Sequence, residues 1–246
     1  MMRGCGIVLL TVAVVAYSTR PTKANLQEAS RINTQLGIDY ARKGNFDVAM
    51  DKLQRALDQD DSNAVAHSAA AFVYQQQGEY QKAERHYRRA LALEGNDSSV
   101  RNNFGVFLCA RGKIDEALQY LTDAAQDRRY PTPEAAWTNA GTCVKSRDPE
   151  RAEQYFREAL RVNPAFPDAL GQMVWISFQK QNHLATRAFV QRYEQTGRSS
   201  AEVLWVAAQT EAALGDPLAA HKYQTRLRRE FPDSPEASFL SKSDIP

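Results

Sequence analysis

The feature that most constrains this chain is self-similarity at a period of 34 residues. The stretch "INTQLGIDYARKGNFDVAMDKLQRALDQDDSN" lines up with "AHSAAAFVYQQQGEYQKAERHYRRALALEGND". Leu36-Gly37, Tyr40, Gly44, Phe46, Ala49, Leu53 and Ala56-Leu57 recur as Ala70-Ala71, Tyr74, Gly78, Tyr80, Ala83, Tyr87 and Ala90-Leu91. A third copy holds Phe104-Gly105, Leu108, Gly112, Ile114, Ala117, Leu121 and Ala124-Ala125. The fourth keeps Ala140-Gly141, Val144, Ala152, Phe156 and Ala159-Leu160, with a shorter turn in "SRDPER" and two added residues in "RRYPTP". The fifth, from about Pro167 to Ser200, is degenerate, with Met173-Val174 and Thr186 at the small positions. The sixth holds Ala207-Ala208, Gly215, Ala220 and Leu227.

Physical chemistry explains each residue type. Each unit reads as two helices whose close approach needs small residues, Gly37, Ala71, Gly105 and Gly141 on the first and Ala49, Ala83, Ala117 and Ala152 on the second. Gly44, Gly78, Gly112 and Gly215 permit a left-handed helix ending. Asp60-Asp61-Ser62-Asn63 and Asn96-Asp97-Ser98 read as turns and caps between units. No unit buries its apolar face alone, so stacking creates the core. The pattern resembles the tetratricopeptide repeat. The expected fold is an all-α superhelical solenoid of about six repeats, at about 30–63, 64–97, 98–131, 134–166, 167–200 and 201–234, within a domain spanning 25–246.

Ahead of the repeats, "MMRGCGIVLLTVAVVAYSTRPTKA" pairs Arg3 with an apolar run from Ile7 to Ala16. Ten residues span only about 15 Å as a helix, half of the roughly 30 Å hydrocarbon core. Residues 1–24 therefore read as a secretory signal rather than a membrane span, with cleavage after Ala16 or after Ala24. Val14-Val15-Ala16 has the shape of the tripeptide that precedes a lipid-modified cysteine, but Tyr17 follows it, and Cys5 lies on the wrong side of the apolar run.

Charge excludes one class of partner. Removing residues 1–24 takes away Arg3, Arg20 and Lys23 and no acid, leaving 28 basic against 29 acidic residues, so nucleic acid is not an expected partner. No metal site or cofactor is expected, since His67, His86, His183 and His221 are scattered and the cysteines lack zinc-site spacing. "DQDDSN" (Asp58 to Asn63) lacks the central glycine and the twelfth-position acid of a calcium loop. With no phosphate loop and no catalytic set in the spacing, the chain is not expected to be an enzyme. For Cys109 and Cys143, on adjacent first helices, buried free thiols are favoured over a bridge, which export would leave open.

Binding is the expected role, on the concave face lined by the first helix of each repeat. The candidate groove residues are Arg31, Thr34, Ile38, Arg42, Val65, Phe72, Gln75, Asn102 and Val106. Asn102 and Asn103, with Arg101 and Arg111 near, suit a peptide backbone or carboxylate, although Asn103 and Asn139 are favoured as bonds within their helix pairs.

The opening repeat "LGIDYARKGNFDVAMDKLQRALDQD", the third repeat "NNFGVFLCARGKIDEALQYLTDAAQDRRYP" and the ending "REFPDSPE" resemble the PilF (PilW) family of type IV pilus biogenesis lipoproteins. The resemblance implies a pilotin that faces the periplasm, binds the pilus secretin and helps it reach the outer membrane and multimerise. It implies a monomer whose membrane association runs through a lipid anchor, and Tyr17 stands where the family would place the anchoring cysteine. The competing classes are a generic periplasmic repeat scaffold without a secretin partner and, were residues 1–24 not an export signal, a cytoplasmic adaptor.

Overall fold

The computed structural model describes residues 21–93 and 97–243, the side chains of 241–243 excepted. Ala16 and Tyr17, and with them the apolar run, lie outside the described residues, whereas Ala24 falls in the first turn of the first helix.

The described residues form helices α1 (Lys23–Arg42), α2 (Phe46–Gln59), α3 (Ala64–Gln76), α4 (Tyr80–Leu93), α5 (Ser98–Ala110) and α6 (Ile114–Gln126). They continue as α7 (Pro133–Val144), α8 (Pro149–Val162), α9 (Pro167–Gln179), α10 (His183–Gln195), α11 (Ala201–Ala213), α12 (Pro217–Glu230) and α13 (Pro235–Ser243). Twelve of them pair as antiparallel hairpins, α1 with α2 through α11 with α12, and each pair stacks on the next. The result is the expected all-α solenoid. Among the described residues no helix is long and apolar enough to cross a membrane.

Small residues set the spacing within each pair. A Cβ on Gly37 would stand 2.6 Å from Leu53 Cγ, and one on Gly105 would stand 2.6 Å from Leu121 Cγ. Real carbons do not approach so closely, so glycine lets the second-helix leucine seat against the first-helix backbone. Gly44, Gly78, Gly112 and Gly215 sit at φ between +75° and +79°, where a side chain would be strained. In the fifth repeat Gln181 takes that turn at φ 55°, the one non-glycine residue with positive φ among the described residues.

The turns between pairs double as caps. Asn63 Oδ1 accepts from Ala66 N at 2.9 Å, and its Nδ2 donates to Ser30 Oγ at 2.9 Å and Thr34 Oγ1 at 3.1 Å. One side chain thus caps α3 and ties it to α1. Asp97 caps α5 by accepting from Ser99 N at 2.8 Å.

A continuous core runs from repeat two into the first helix of repeat six, centred on Tyr87, Phe104, Phe107, Leu121, Phe156 and Met173. Beyond the periodic repeats, α13 closes the far end, where Ala237 and Leu240 bury against Leu204 and Leu227. A terminal repeat exposes the face that stacking would otherwise cover, and α13 covers it.

The cysteine expectation is corrected. Cys109 and Cys143 are joined by a disulfide between α5 and α7, with Cα atoms 5.6 Å apart. The two positions are not equivalent within their repeats, but the crossing of the two helices brings their Cβ atoms together. Closing a 34-residue loop contributes roughly 3–4 kcal/mol by the chain-entropy account.

Candidate functional site

Stacking leaves the first helices side by side, and an open groove of about 570 Å³ runs along them. α1 contributes Ile38, Ala41 and Arg42; α3 contributes Val65, Ser68, Ala69, Phe72 and Gln75. α5 adds Ser99, Val100, Asn102, Asn103 and Val106, α7 adds Asn139, and Tyr87 and Asp97 complete the lining. These residues share a face because helical positions three, four and seven apart project the same way.

Chemically the groove is two-toned. Val65 at 46% exposure, Phe72 at 41% and Val106 at 37% are large apolar side chains left open to solvent in an array whose other apolar positions are mostly buried. Together with Ile38 they make an apolar wall whose cover by a partner would release ordered water. Beside that wall stands a row of amides. Asn139 Nδ2 donates to Asn102 Oδ1 at 2.9 Å, and Gln75 and Asn103 face the same cavity. Amides both donate and accept, which suits them to a peptide backbone in any direction. Charge enters only at the rim, through Arg42, whose Nη1 lies 3.7 Å from Asp39, and through Asp97.

Seven of the nine residues expected in the groove line it: Ile38, Arg42, Val65, Phe72, Gln75, Asn102 and Val106. Two do not. Thr34 is buried; its Oγ1 donates to Ser30 O at 2.8 Å and accepts from Asn63, so it joins repeats one and two instead of facing a ligand. Arg31 lies exposed on α1, its Nε and Nη2 donating to Glu28 Oε2 and Oε1 at 2.9 and 2.7 Å, outside the cavity. Asn139, favoured in the sequence as a bond within its own helix pair, instead reaches across to the first helix of the neighbouring repeat. Neither Arg101 nor Arg111 lines the cavity, and the Arg111 guanidinium lies 4.2 Å from the centre of the Tyr80 ring.

Among the described residues no group of three or more His, Cys, Asp or Glu side chains stands close enough to hold a metal ion. The residues of the groove offer recognition by burial and hydrogen bonding.

Comparison with known proteins bears on both fold and family. Models of the tetratricopeptide repeat match residues 28–94, 76–136 and 137–166. The type IV pilus assembly protein PilF of Pseudomonas aeruginosa is 31% identical over 230 residues, covering 92% of this chain and 91% of that protein. The solved structure of P. aeruginosa PilF superposes with a TM-score of 0.79 at 30% identity, over 89% of this chain and 99% of that one. The structure of PilW, described as a widely conserved type IV pilus biogenesis factor, superposes at 0.74 with 29% identity, over 86% of this chain and 97% of that one. In sequence along nearly its whole length, and in the stacking of its repeats, the chain belongs to the PilF and PilW family of tetratricopeptide-repeat proteins.

Proposed function

We propose that this chain is a non-enzymatic type IV pilus biogenesis factor of the pilotin kind. Its groove binds a segment of the pilus secretin and so promotes the secretin's outer-membrane localisation and multimerisation. The observation that carries this reading is the exposed apolar wall of Val65, Phe72 and Val106 beside an amide row, within a chain akin to PilF over nine-tenths of its length. A segment with apolar side chains buries them on that wall, while the amides satisfy its backbone.

Residues 1–24 direct export in this reading, and residues 25–246 form the binding domain. The Cys109–Cys143 disulfide supports an oxidising compartment, since such bonds rarely persist in a reducing cytosol. The protein acts on the periplasmic side of the outer membrane or free in the periplasm. With Tyr17 at the expected cysteine position, lipid attachment is expected of this chain only as the family's norm.

The test is to replace Ile38 and Phe72 together with aspartate or glutamate. Both side chains face the open groove, so the fold survives while the apolar wall gains charge. Secretin multimers in envelope extracts should disappear. Unchanged multimer levels overturn the reading, and capture of other envelope proteins without secretin supports a generic periplasmic scaffold instead.

A further inference from the structure

Leu184 and Leu218 are the most exposed large apolar side chains among the described residues, at 70% and 84%. They stand at one register, 34 residues apart, each second in the second helix of its repeat. The earlier repeats hold Asp47, Gln81, Asp115 and Glu150 there. Two of these bond the turn of the next repeat: Asp47 Oδ1 accepts from Gln77 Nε2 at 3.3 Å, and Asp115 Oδ1 from Arg147 Nη1 at 3.1 Å. A leucine makes no such bond, and neither of these two reaches the core. Scattered exposed leucines are ordinary, but a pair in register on neighbouring helices is a surface feature.

Charge favours one kind of partner for it. α10 and α12 together carry six Arg or Lys against two Glu, whereas α2, α4, α6 and α8 together carry nine basic against ten acidic residues. Both glutamates are engaged by neighbouring side chains. Glu194 accepts from Tyr223 Oη at 2.9 Å and from Arg226 Nη1, which sets α12 beside α10. Glu230 accepts from Ser199 Oγ at 2.7 Å and from Arg229 Nη2 at 3.1 Å. The acid nearest Leu218 in sequence, Asp216, caps α12 by accepting from Ala219 N at 3.0 Å. On α12 the exposed residues Leu218, His221, Lys222, Thr225 and Arg229 recur every three or four positions and so share a face. On α10 Leu184, Ala188, Gln191 and Gln195 do the same, with no acid among them.

An apolar tip beside cations matches a bilayer surface, where leucines enter the interfacial region and cations meet lipid phosphates. We propose that the outer face of repeats five and six docks on a bilayer containing anionic phospholipid, through Leu184, Leu218, Lys222 and Arg229. The groove is lined chiefly by first helices of repeats one to four, so docking through α10 and α12 leaves it open. The inference therefore does not rest on the secretin reading. Two leucines and a few cations give reversible, salt-sensitive association rather than an anchor.

The experiment co-sediments the mature chain, purified from the periplasm, with vesicles of phosphatidylethanolamine and phosphatidylglycerol or of phosphatidylcholine, at low and high salt. L184D/L218D and K222Q/R229Q are compared with the native chain; all share one N-terminus, so differences report the patch. Urea midpoints check that each variant is folded. A polarity-sensitive dye on Leu218→Cys, or on Gln81→Cys, reports which residue meets lipid, since Cys109 and Cys143 are bonded to each other. Gln81 holds the same register on α4, a basic helix without the leucine.

The expected result is about tenfold stronger binding to the anionic vesicles, weakened by salt, and about tenfold weaker binding in either double variant. The dye should shift to the blue on Leu218→Cys and not on Gln81→Cys. Unchanged binding in L184D/L218D, or equal dye shifts at the two positions, overturns the docking face. Absence of vesicle binding by the native chain also overturns it, and loss of secretin multimers in L184D/L218D would then give the patch to a protein partner. Substitutions in the groove should leave vesicle binding as it is, so the two readings fail separately.

Discussion

The Phe156 ring lies where a side chain on Gly141 would have to go: a Cβ built on that glycine would stand 2.6 Å from Phe156 Cε1 and 2.8 Å from Cζ. Phe156 is fully buried, so its ring has nowhere to retreat. Gly141→Ala should therefore lower stability by about 1–2 kcal/mol, overpacking outweighing the helix propensity that alanine adds. Gly78→Ala meets nothing within 4 Å and is strained by its φ of +77° alone, about 1 kcal/mol. Urea denaturation of the two variants checks both values. Full stability in Gly141→Ala would mean that α7 and α8 are not held this closely.

Repeat two carries a titratable pair. His67 Nε2 lies 3.1 Å from Asp61 O and must donate to it, so His67 Nδ1 accepts from His86 Nδ1, 3.0 Å away. Burial first, then His67 and Arg85, push His86 down to about 4. Burial also lowers His67, with Arg89 adding to that and the Asp61 carbonyl opposing it. The unfolded chain takes up these protons near 6.5 and folded His86 only near 4. The sign is therefore fixed: stability is full above pH 6.5, falls as pH drops toward 4 and levels off below. His86→Tyr places there the residue that Tyr120 and Tyr155 present at the matching register. Its urea midpoint should change less between pH 6.5 and 5 than that of the native chain, and an equal change in both excludes the pair as the source.

The fold was legible because its constraints are local. Gly37, Gly105 and Gly141 mark close approaches, and Gly44, Gly78 and Gly112 mark left-handed turns; both needs act on single residues at fixed spacing. What escaped depends on how repeats stack. Thr34 and Ile38 share a helical stripe, and periodicity alone does not tell the half facing the groove from the half facing Asn63 of the next repeat. Cys109 follows Gly105 by four residues and Cys143 follows Gly141 by two, so only the crossing of α5 and α7 reveals that they meet. Asn139 reaches Asn102 through that same crossing. α13 belongs to no repeat, and Gln181 occupies a glycine conformation that its residue type does not announce.

Separating structural from binding residues on α1 and at its junction with α3 gives a further test. Asn63→Ala removes a cap and both bonds to Ser30 and Thr34, and should cost about 1–2 kcal/mol. Arg31→Ala should leave stability and secretin multimers as they are, because Arg31 holds only the exposed Glu28. Phe72→Glu should do the reverse of Asn63→Ala, preserving the urea midpoint while abolishing multimers. Loss of multimers in Arg31→Ala with the fold intact would extend the site beyond the groove.

The junction of repeats five and six turns on a buried carboxylate. Glu211 on α11 is nearly inaccessible, and Arg187 on α10 grips it, with Nε 2.9 Å from Oε1 and a second bond from Nη2 to Oε2. Such a pair is weak evidence for stability, since burying both charges offsets much of their attraction. Removing one partner is different, because the other is left charged and without water. Arg187→Ala should therefore lower the urea midpoint clearly, whereas Arg187→Met combined with Glu211→Leu should restore most of the loss. The same ordering should appear in hydrogen exchange across α10 and α11, with the single variant opening first. Equal destabilisation by the single and double variants would show that the ion pair itself, rather than the stranded carboxylate, holds the two repeats together.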